Sequence, residues 1–316
     1  MPPTPGPTPS ICCAARRRCG LRSPPTRTAP TYSARDEEAA MTWNSKPVVV
    51  TAAITGADVT RENNPNVPYT PTEIAESSLR SIEAGAAIAA LHVREDDGTP
   101  SGRPELFGQV IERIRAEEPR TVTNVSTGGS NTMSIEDRMG GLQAMPDMCG
   151  VETGSMNFGD ETFITPPPAA REIIARAGAQ GTALEVEAFD VGHVVSAVSL
   201  FTEGILPAPL RVNLVFGVPG GIDASPEALE AMIRPLPPGT FWTVTCVGRW
   251  HERILALGLL RGADGVRTGL EDVAYISKGV LAPSNEALVT KLVGLTKTLG
   301  REVATLEQAR DLLGLS

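Results

Sequence analysis

Cysteine is scarce in this chain. Five are present among 316 residues, and Cys12, Cys13 and Cys19 crowd into the first forty. Only Cys149 and Cys246 remain beyond them. Two separated thiols make no disulfide framework, which suits a reducing cytoplasm. No stretch approaches the roughly 18 uninterrupted apolar residues that a membrane helix needs. Basic charge is in deficit: 28 Lys and Arg stand against 37 Asp and Glu, for a net charge of -9. That balance argues against nucleic acid or an anionic membrane as partner. Histidine occurs three times, at His92, His193 and His251. No G-x-G-x-x-G follows any strand-like run, which tells against a dinucleotide-binding Rossmann sheet, the second-ranked architecture.

What is present divides in two. Residues 1–40 are rich in Pro, Thr and Arg and show no apolar periodicity. Six arginines there outweigh Asp36, Glu37 and Glu38, leaving +3, so the remainder carries -12. Such a segment buries too little surface to fold. It reads as a disordered extension, either a transit peptide or the product of a start placed too early, with Met41 as the true beginning. Residues 41–316 are expected to form one domain. From Lys46 onward strand and helix alternate. "PVVVTAAIT" precedes "TPTEIAESSLRSIEAGA", whose Thr70, Pro71 and Glu73 spell an N-cap, a first-turn proline and a capping box. "AIAALHV", "TVTNVST", "MCGVET", "ALEVEAF", "LRVNLVFG", "TFWTVTCVG" and "GVRTG" follow as further strands, each before a helical stretch, "SIEDRMGGLQAM" among them. Eight β-then-α units imply parallel strands closed into a (β/α)8 TIM barrel.

Barrels of this kind place their chemistry at the carboxyl ends of the strands. The polar residues there are Thr55 and Asp58, His92 and Arg94, Ser126 and Thr127, Ser155 and Asn157, Glu187, Arg249 and His251, and Arg267, Glu271 and Asp272. The sixth strand instead ends in the glycines of "GVPGG". "STGGS" over Ser126–Ser130 reads either as an anion-binding loop of N–H groups or as a tight turn into a helix. "RTGLED" is more pointed. An arginine at a strand end with two acids four and five residues on is costly to bury unless paired or ligating. His92 is the best ligand candidate of the three histidines, His193 reads as structural or as pocket rim, and His251 stays open between ligand contact and core.

The succession "TAAITGA", "LHVREDDGTPS", "NVSTGG", "GSMNFGD", "LEVEAFDVGH", "FGVPGG", "VGRWH", "VRTGLED", "SKGVLAPSN" and "GREVATLEQARDLLGL" resembles the β-keto acid cleavage enzyme family over residues 46 to 316. The resemblance implies a zinc-dependent acyltransferase, a homotetramer, that turns a β-keto acid and acetyl-CoA into acetoacetate and a new acyl-CoA. It implies His92 and Glu271 as metal ligands, and Arg267 with Asp272 as the dyad that handles the proton of the acetyl group. Ser126, Ser155, Asn157, Glu187 and Arg249 become substrate contacts. Asp58 stands where the branch acting on amino-substituted β-keto acids meets the substrate's amino group. One departure stands out. The family writes His-x-His at the second strand end, and here the first of the pair is Ala90. A methyl group cannot ligate, and catalytic zinc normally takes three protein ligands. Asp58, Glu187 or His251 could replace it. Two further readings stay open on this ground: a metal-poor paralogue that binds ligand without turnover, and a metal-independent aldol or Claisen lyase.

Overall fold

The computed structural model describes residues 46–315. The expected extension and the start at Met41 lie outside them. Eight parallel strands close into a barrel: β1 (Val49–Ala53), β2 (Ile88–Leu91), β3 (Val122–Val125), β4 (Met148–Glu152), β5 (Ala183–Ala188), β6 (Arg211–Phe216), β7 (Phe241–Cys246) and β8 (Gly265–Thr268). Each strand pairs with its sequence neighbours, and β1 closes on β8 with Thr51 opposite Arg267. Near-complete burial along the strands explains their continuous apolar character, since a parallel sheet is covered on both faces. The (β/α)8 reading therefore holds, and the Rossmann alternative does not.

The helices are α1 (Pro71–Glu83), α2 (Pro104–Glu117), α3 (Ile135–Arg138), α4 (Pro167–Ala179), α5 (Val191–Thr202), α6 (Pro226–Ile233), α7 (His251–Leu260), α8 (Asn285–Thr298) and α9 (Leu306–Leu313). The start of α1 carries the capping box: Thr70 accepts from the Glu73 amide, and the Glu73 carboxylate accepts from the Thr70 amide. The helix expected over "SIEDRMGGLQAM" is shorter. One α-turn is followed by a 3-10 segment, Gly140–Ala144, that ends at Met145 with φ 52°. Backbone approach explains this: a Cβ on Gly140 would fall 1.8 Å from the Gly102 carbonyl oxygen. A regular α-helix would need a side chain where another backbone already runs.

The last helix closes the barrel's amino-terminal end. Ala309 and Leu313 of α9 pack with Val49, Ile88, Val122, Met148 and Phe241, residues of five different strands. The Arg211 guanidinium, buried beneath them, donates to the Leu313 carbonyl. The opposite end, where β-strands run into helices, stays open. Among the described residues no helix is long and apolar enough to cross a membrane.

Candidate active site

The open end holds a pocket that opens to solvent on its outer side. Its chemistry starts from the sharp turn after β8. Gly269 passes so close to β1 that a Cβ would sit 1.9 Å from the Ala53 carbonyl oxygen. The Leu270 amide donates to Asn285 Oδ1 at 2.7 Å, and the Glu271 amide donates to the Ala53 carbonyl at 3.3 Å. This pinned turn aims Glu271 and Asp272 back at Arg267.

Arg267 gathers three carboxylates. Nε donates to Asp272 Oδ2 at 3.1 Å, Nη2 to Asp272 Oδ1 at 2.9 Å and Glu271 Oε1 at 2.5 Å, and Nη1 to Glu187 Oε1 at 3.0 Å. A guanidinium has five N–H donors, so one remains for a ligand. Burial alone would weaken the Arg267 cation, yet Asp272, Glu271 and Glu187 together raise its pKa well above the ordinary value. Burial also pushes Glu271 up to about 7, against the pull of Arg267, and it raises Glu187. His92 stands beside this cluster, with Nε2 3.7 Å from Glu271 Oε1. Burial lowers its pKa to about 4, so the ring is neutral at pH 7 and the contact is no ion pair.

Two arginines set the walls. Arg94, which is buried, donates to the carbonyls of Gly98, Gly56 and Val59 and to Thr55 Oγ1. It therefore staples the β1–α1 loop that carries Asp58 to the pocket rim, and it is structural. Arg138 donates to Glu152 Oε2 at 3.0 Å and to the carbonyls of Thr127 and Ile164. It fixes the Ser126–Ser130 loop, in which Ser126 Oγ accepts from the Gly128 amide at 3.0 Å.

Asp58, His92, Ser126, Glu187, Arg267, Glu271 and Asp272 thus converge on one pocket. Ser155, Asn157 and Arg249 do not line it and lie exposed, Asn157 in a two-stranded hairpin, Met156–Phe158 against Glu161–Phe163, and Arg249 in a 3-10 turn, Gly248–Trp250. Ser155 Oγ accepts from the Thr165 amide at 2.9 Å. His251 is a core histidine: Nδ1 meets the Cys246 carbonyl at 2.5 Å and Nε2 meets Thr268 Oγ1 at 2.8 Å, so neither nitrogen is free for a metal. His193 Nδ1 accepts from the Phe189 amide at 3.3 Å. Sequence reasoning missed Glu152, although it is the last residue of β4 and lines the pocket.

Zinc finds two protein donors here. Glu271 Oε2 is buried without a hydrogen-bond partner and would suit a cation, and His92 is its neighbour. Ala90 supplies a methyl where a third donor would stand. Among the described residues no group of three or more His, Cys, Asp or Glu is arranged to hold a metal. The residues present therefore do not fit a three-ligand catalytic zinc.

Below the pocket lies a second missed acid. Glu185 precedes Glu187 by two on β5 and so shares its face. It is buried, accepts from Asn124 Nδ2 at 2.9 Å, and burial lifts its pKa to about 7. The folded state holds this proton above the unfolded value, so the stability it contributes is full below pH 4.5 and is lost as pH rises through about 7. Glu185→Gln is expected to be nearly neutral at pH 5 and to stabilise by about 2–4 kcal/mol at pH 8. Denaturant titrations at the two pH values check this, and an equal effect at both would refute it.

A model of the family described as beta-keto acid cleavage enzyme matches residues 47–315. The chain is 40% identical over 270 residues to a 3-keto-5-aminohexanoate cleavage enzyme of Acetoanaerobium sticklandii, covering 85% of this chain and 98% of that protein. It is 38% identical over 274 residues to a 3-oxoadipate:acetyl-CoA acetyltransferase of Cupriavidus necator, covering 86% and 96%. Among solved structures, the binary complex of ObcA with oxaloacetate superposes with a TM-score of 0.69 at 21% identity, covering 80% of this chain and 68% of that one. That last likeness bears on the fold alone.

Proposed function

The chain belongs to the beta-keto acid cleavage enzyme family, and from that membership we propose that it transfers acyl groups between a β-keto acid carrying a positive charge and acetyl-CoA, releasing acetoacetate and a new acyl-CoA. The observation that carries the substrate class is the charge of the pocket. Asp58, Glu152, Glu187, Glu271 and Asp272 line it, and among the described residues Arg267 is the one cation that does. That cation is already spent on three acids. A second substrate carboxylate, as in 3-oxoadipate, would enter against like charge, whereas an ammonium would be drawn to Asp58. The relatives named for 3-keto-5-aminohexanoate support the same choice.

The steps proposed use the chain's own residues. The proton that must leave sits on a carbon next to a carbonyl. Asp272, oriented by both its bonds to Arg267, takes it. The β-keto acid carbanion so formed adds to the acetyl-CoA carbonyl and expels the CoA thiolate; the thiolate adds to the former keto carbonyl, the older carbon–carbon bond breaks to free the new acyl-CoA, and the acetoacetate carbanion recovers its proton from Asp272. Negative charge gathers on the former keto oxygen, where the neutral His92 ring and the remaining Arg267 N–H can donate to it. No step is routed through zinc, because its donor set does not fit. The non-catalytic reading finds no support among the relatives, each named for a reaction. A homotetramer in the cytoplasm is the setting proposed with this activity, on the family resemblance for the assembly and on the free thiols Cys149 and Cys246 for the compartment.

Purified protein supplied with acetyl-CoA should form acetoacetate fastest from an amino-substituted β-keto acid, more slowly from a neutral one of equal length, and slowest from 3-oxoadipate. Turnover of 3-oxoadipate as fast as of the amino acid would overturn the substrate class, and no turnover of any would overturn the activity. Asp58→Asn should erase the preference for the amino substrate by at least about tenfold in kcat/KM, the scale of a hydrogen bond to a charged group, while the neutral substrate changes little.

A further inference from the structure

The exit of β7 carries a cluster that the pocket chemistry does not use. Gly248, at φ 79°, turns the chain out of the strand into a 3-10 segment, Gly248–Trp250, and its amide donates to the Asp272 carbonyl at 2.9 Å. The loop is thereby tied to the carboxylate cluster. Val247, one residue before, lines the pocket. Three residues of chain reach at most about 11 Å, so Trp250 lies close to the mouth. Two guanidinium carbons approach its ring, Arg249 at 5.1 Å and Arg253 at 4.8 Å from the centroid.

Both arginines are exposed, and neither has a carboxylate or carbonyl partner among the described residues. Among the described exposed arginines only Arg234 shares that state. Arg61, Arg80, Arg103, Arg171, Arg176 and Arg261, though also on the surface, all hold carboxylates. The placement is also costly. Arg253 sits in the first turn of α7, where the helix dipole disfavours a cation, and it stands beside a second positive charge. A chain of net charge -9 that concentrates unpaired guanidiniums on one half-buried indole, beside an acidic pocket, has built an anion site with a stacking face. Indole and guanidinium planes stack on a nucleobase, and guanidiniums recognise phosphate.

We propose that Arg249, Trp250 and Arg253 bind the phosphorylated adenine-nucleotide end of the CoA thioester, leaving the acyl end to reach the pocket past Val247. This rests on the acyl-transfer reading above and assigns Arg249 to the nucleotide rather than to the keto acid. The site also explains how an acid-lined pocket admits a polyanionic co-substrate: the phosphates stay on the rim and only the uncharged thioester arm passes inside.

The test compares acetyl-CoA with S-acetyl-N-acetylcysteamine, a thioester that lacks the nucleotide. In the double variant Arg249→Gln, Arg253→Gln the ratio of kcat/KM for acetyl-CoA over the truncated thioester should fall at least tenfold. The change should come through KM for acetyl-CoA, with partial rescue by Lys at both positions. An unchanged ratio overturns the proposal. Calorimetric titration with CoA and with adenosine 3′,5′-bisphosphate separates this from the activity itself. If the native protein transfers no acetyl group from either thioester, the acyl-transfer reading fails, and the site is then decided by binding alone. CoA and bisphosphate affinities at least tenfold weaker in the double variant uphold it. Equal affinities, or no CoA binding by the native protein, refute it.

Discussion

Replacing Arg267 by methionine should lower acyl transfer at least about a thousandfold and destabilise the fold by about 3–5 kcal/mol at pH 7. The second figure is the ordinary cost of stripping one partner from a buried ion pair. The first goes beyond the loss of a single oxyanion donor, which costs about a hundred- to a thousandfold, because Arg267 also orients the proposed base. Its guanidinium is the shared counter-ion of Glu187, Glu271 and Asp272. Without it three acids face one another at the floor of the pocket. They relieve that repulsion by taking up protons, so the destabilisation should shrink as pH falls from 8 to 5. Lysine is a poor substitute, since one ammonium cannot match the fork that meets Asp272 with two nitrogens. Melting curves across pH, with the acetyl-CoA assay, measure both effects. A methionine variant with a tenth or more of native turnover would show that the cluster is scaffolding only.

The second large effect is a gain. With His92 and Glu271 as its two donors, the native chain should release zinc on dialysis against a mild chelator. Ala90→His should instead retain close to one zinc per chain, with affinity higher by at least about a hundredfold, the scale on which a donor set one ligand short loses metal. Residue 90 is well placed for this, since it precedes His92 by two and side chains alternate along a strand. It lies opposite Ala53 and Asn124, with a small alanine on one side. Elemental analysis after dialysis decides the matter. A native chain that keeps one zinc would mean that another group completes the site. His251 is not that group, because both its ring nitrogens are occupied.

Much of this was legible before any coordinates. The strand-end rule picked out Asp58, His92, Ser126, Glu187, Arg267, Glu271 and Asp272, and all seven meet in one pocket. They were readable because a barrel's topology carries every strand end to the same mouth, whatever the loops do. Ser155, Asn157 and Arg249 were harder, since each lies in the connection beyond its strand, whose path depends on contacts far along the chain. Asn157 shows this well: its carbonyl lies against Gly220, so close that a Cβ there would approach to 2.2 Å. Glu152 closes β4 directly opposite Glu187 on β5, but a lone acid ending a buried apolar run carries no local mark of a pocket. Its partner Arg138 belongs to a helix cut short by a glycine–glycine backbone contact, and no local pattern announces such a contact.

The closing of β1 on β8 has a bearing on how the molecule is made. Thr51 and Arg267 are paired neighbours in the barrel, yet they leave the ribosome far apart in time. At synthesis rates of about 5–20 residues per second, the first strand waits about 10–40 s for the last. Until then one flank of β1 offers bare amides and carbonyls to whatever passes, the condition under which nascent sheets pair wrongly. The pocket shares that delay, because Asp58 and His92 are synthesised early and Arg267, Glu271 and Asp272 late. A partly made chain therefore holds half of the pocket's charges but neither Arg267 nor the proposed base Asp272.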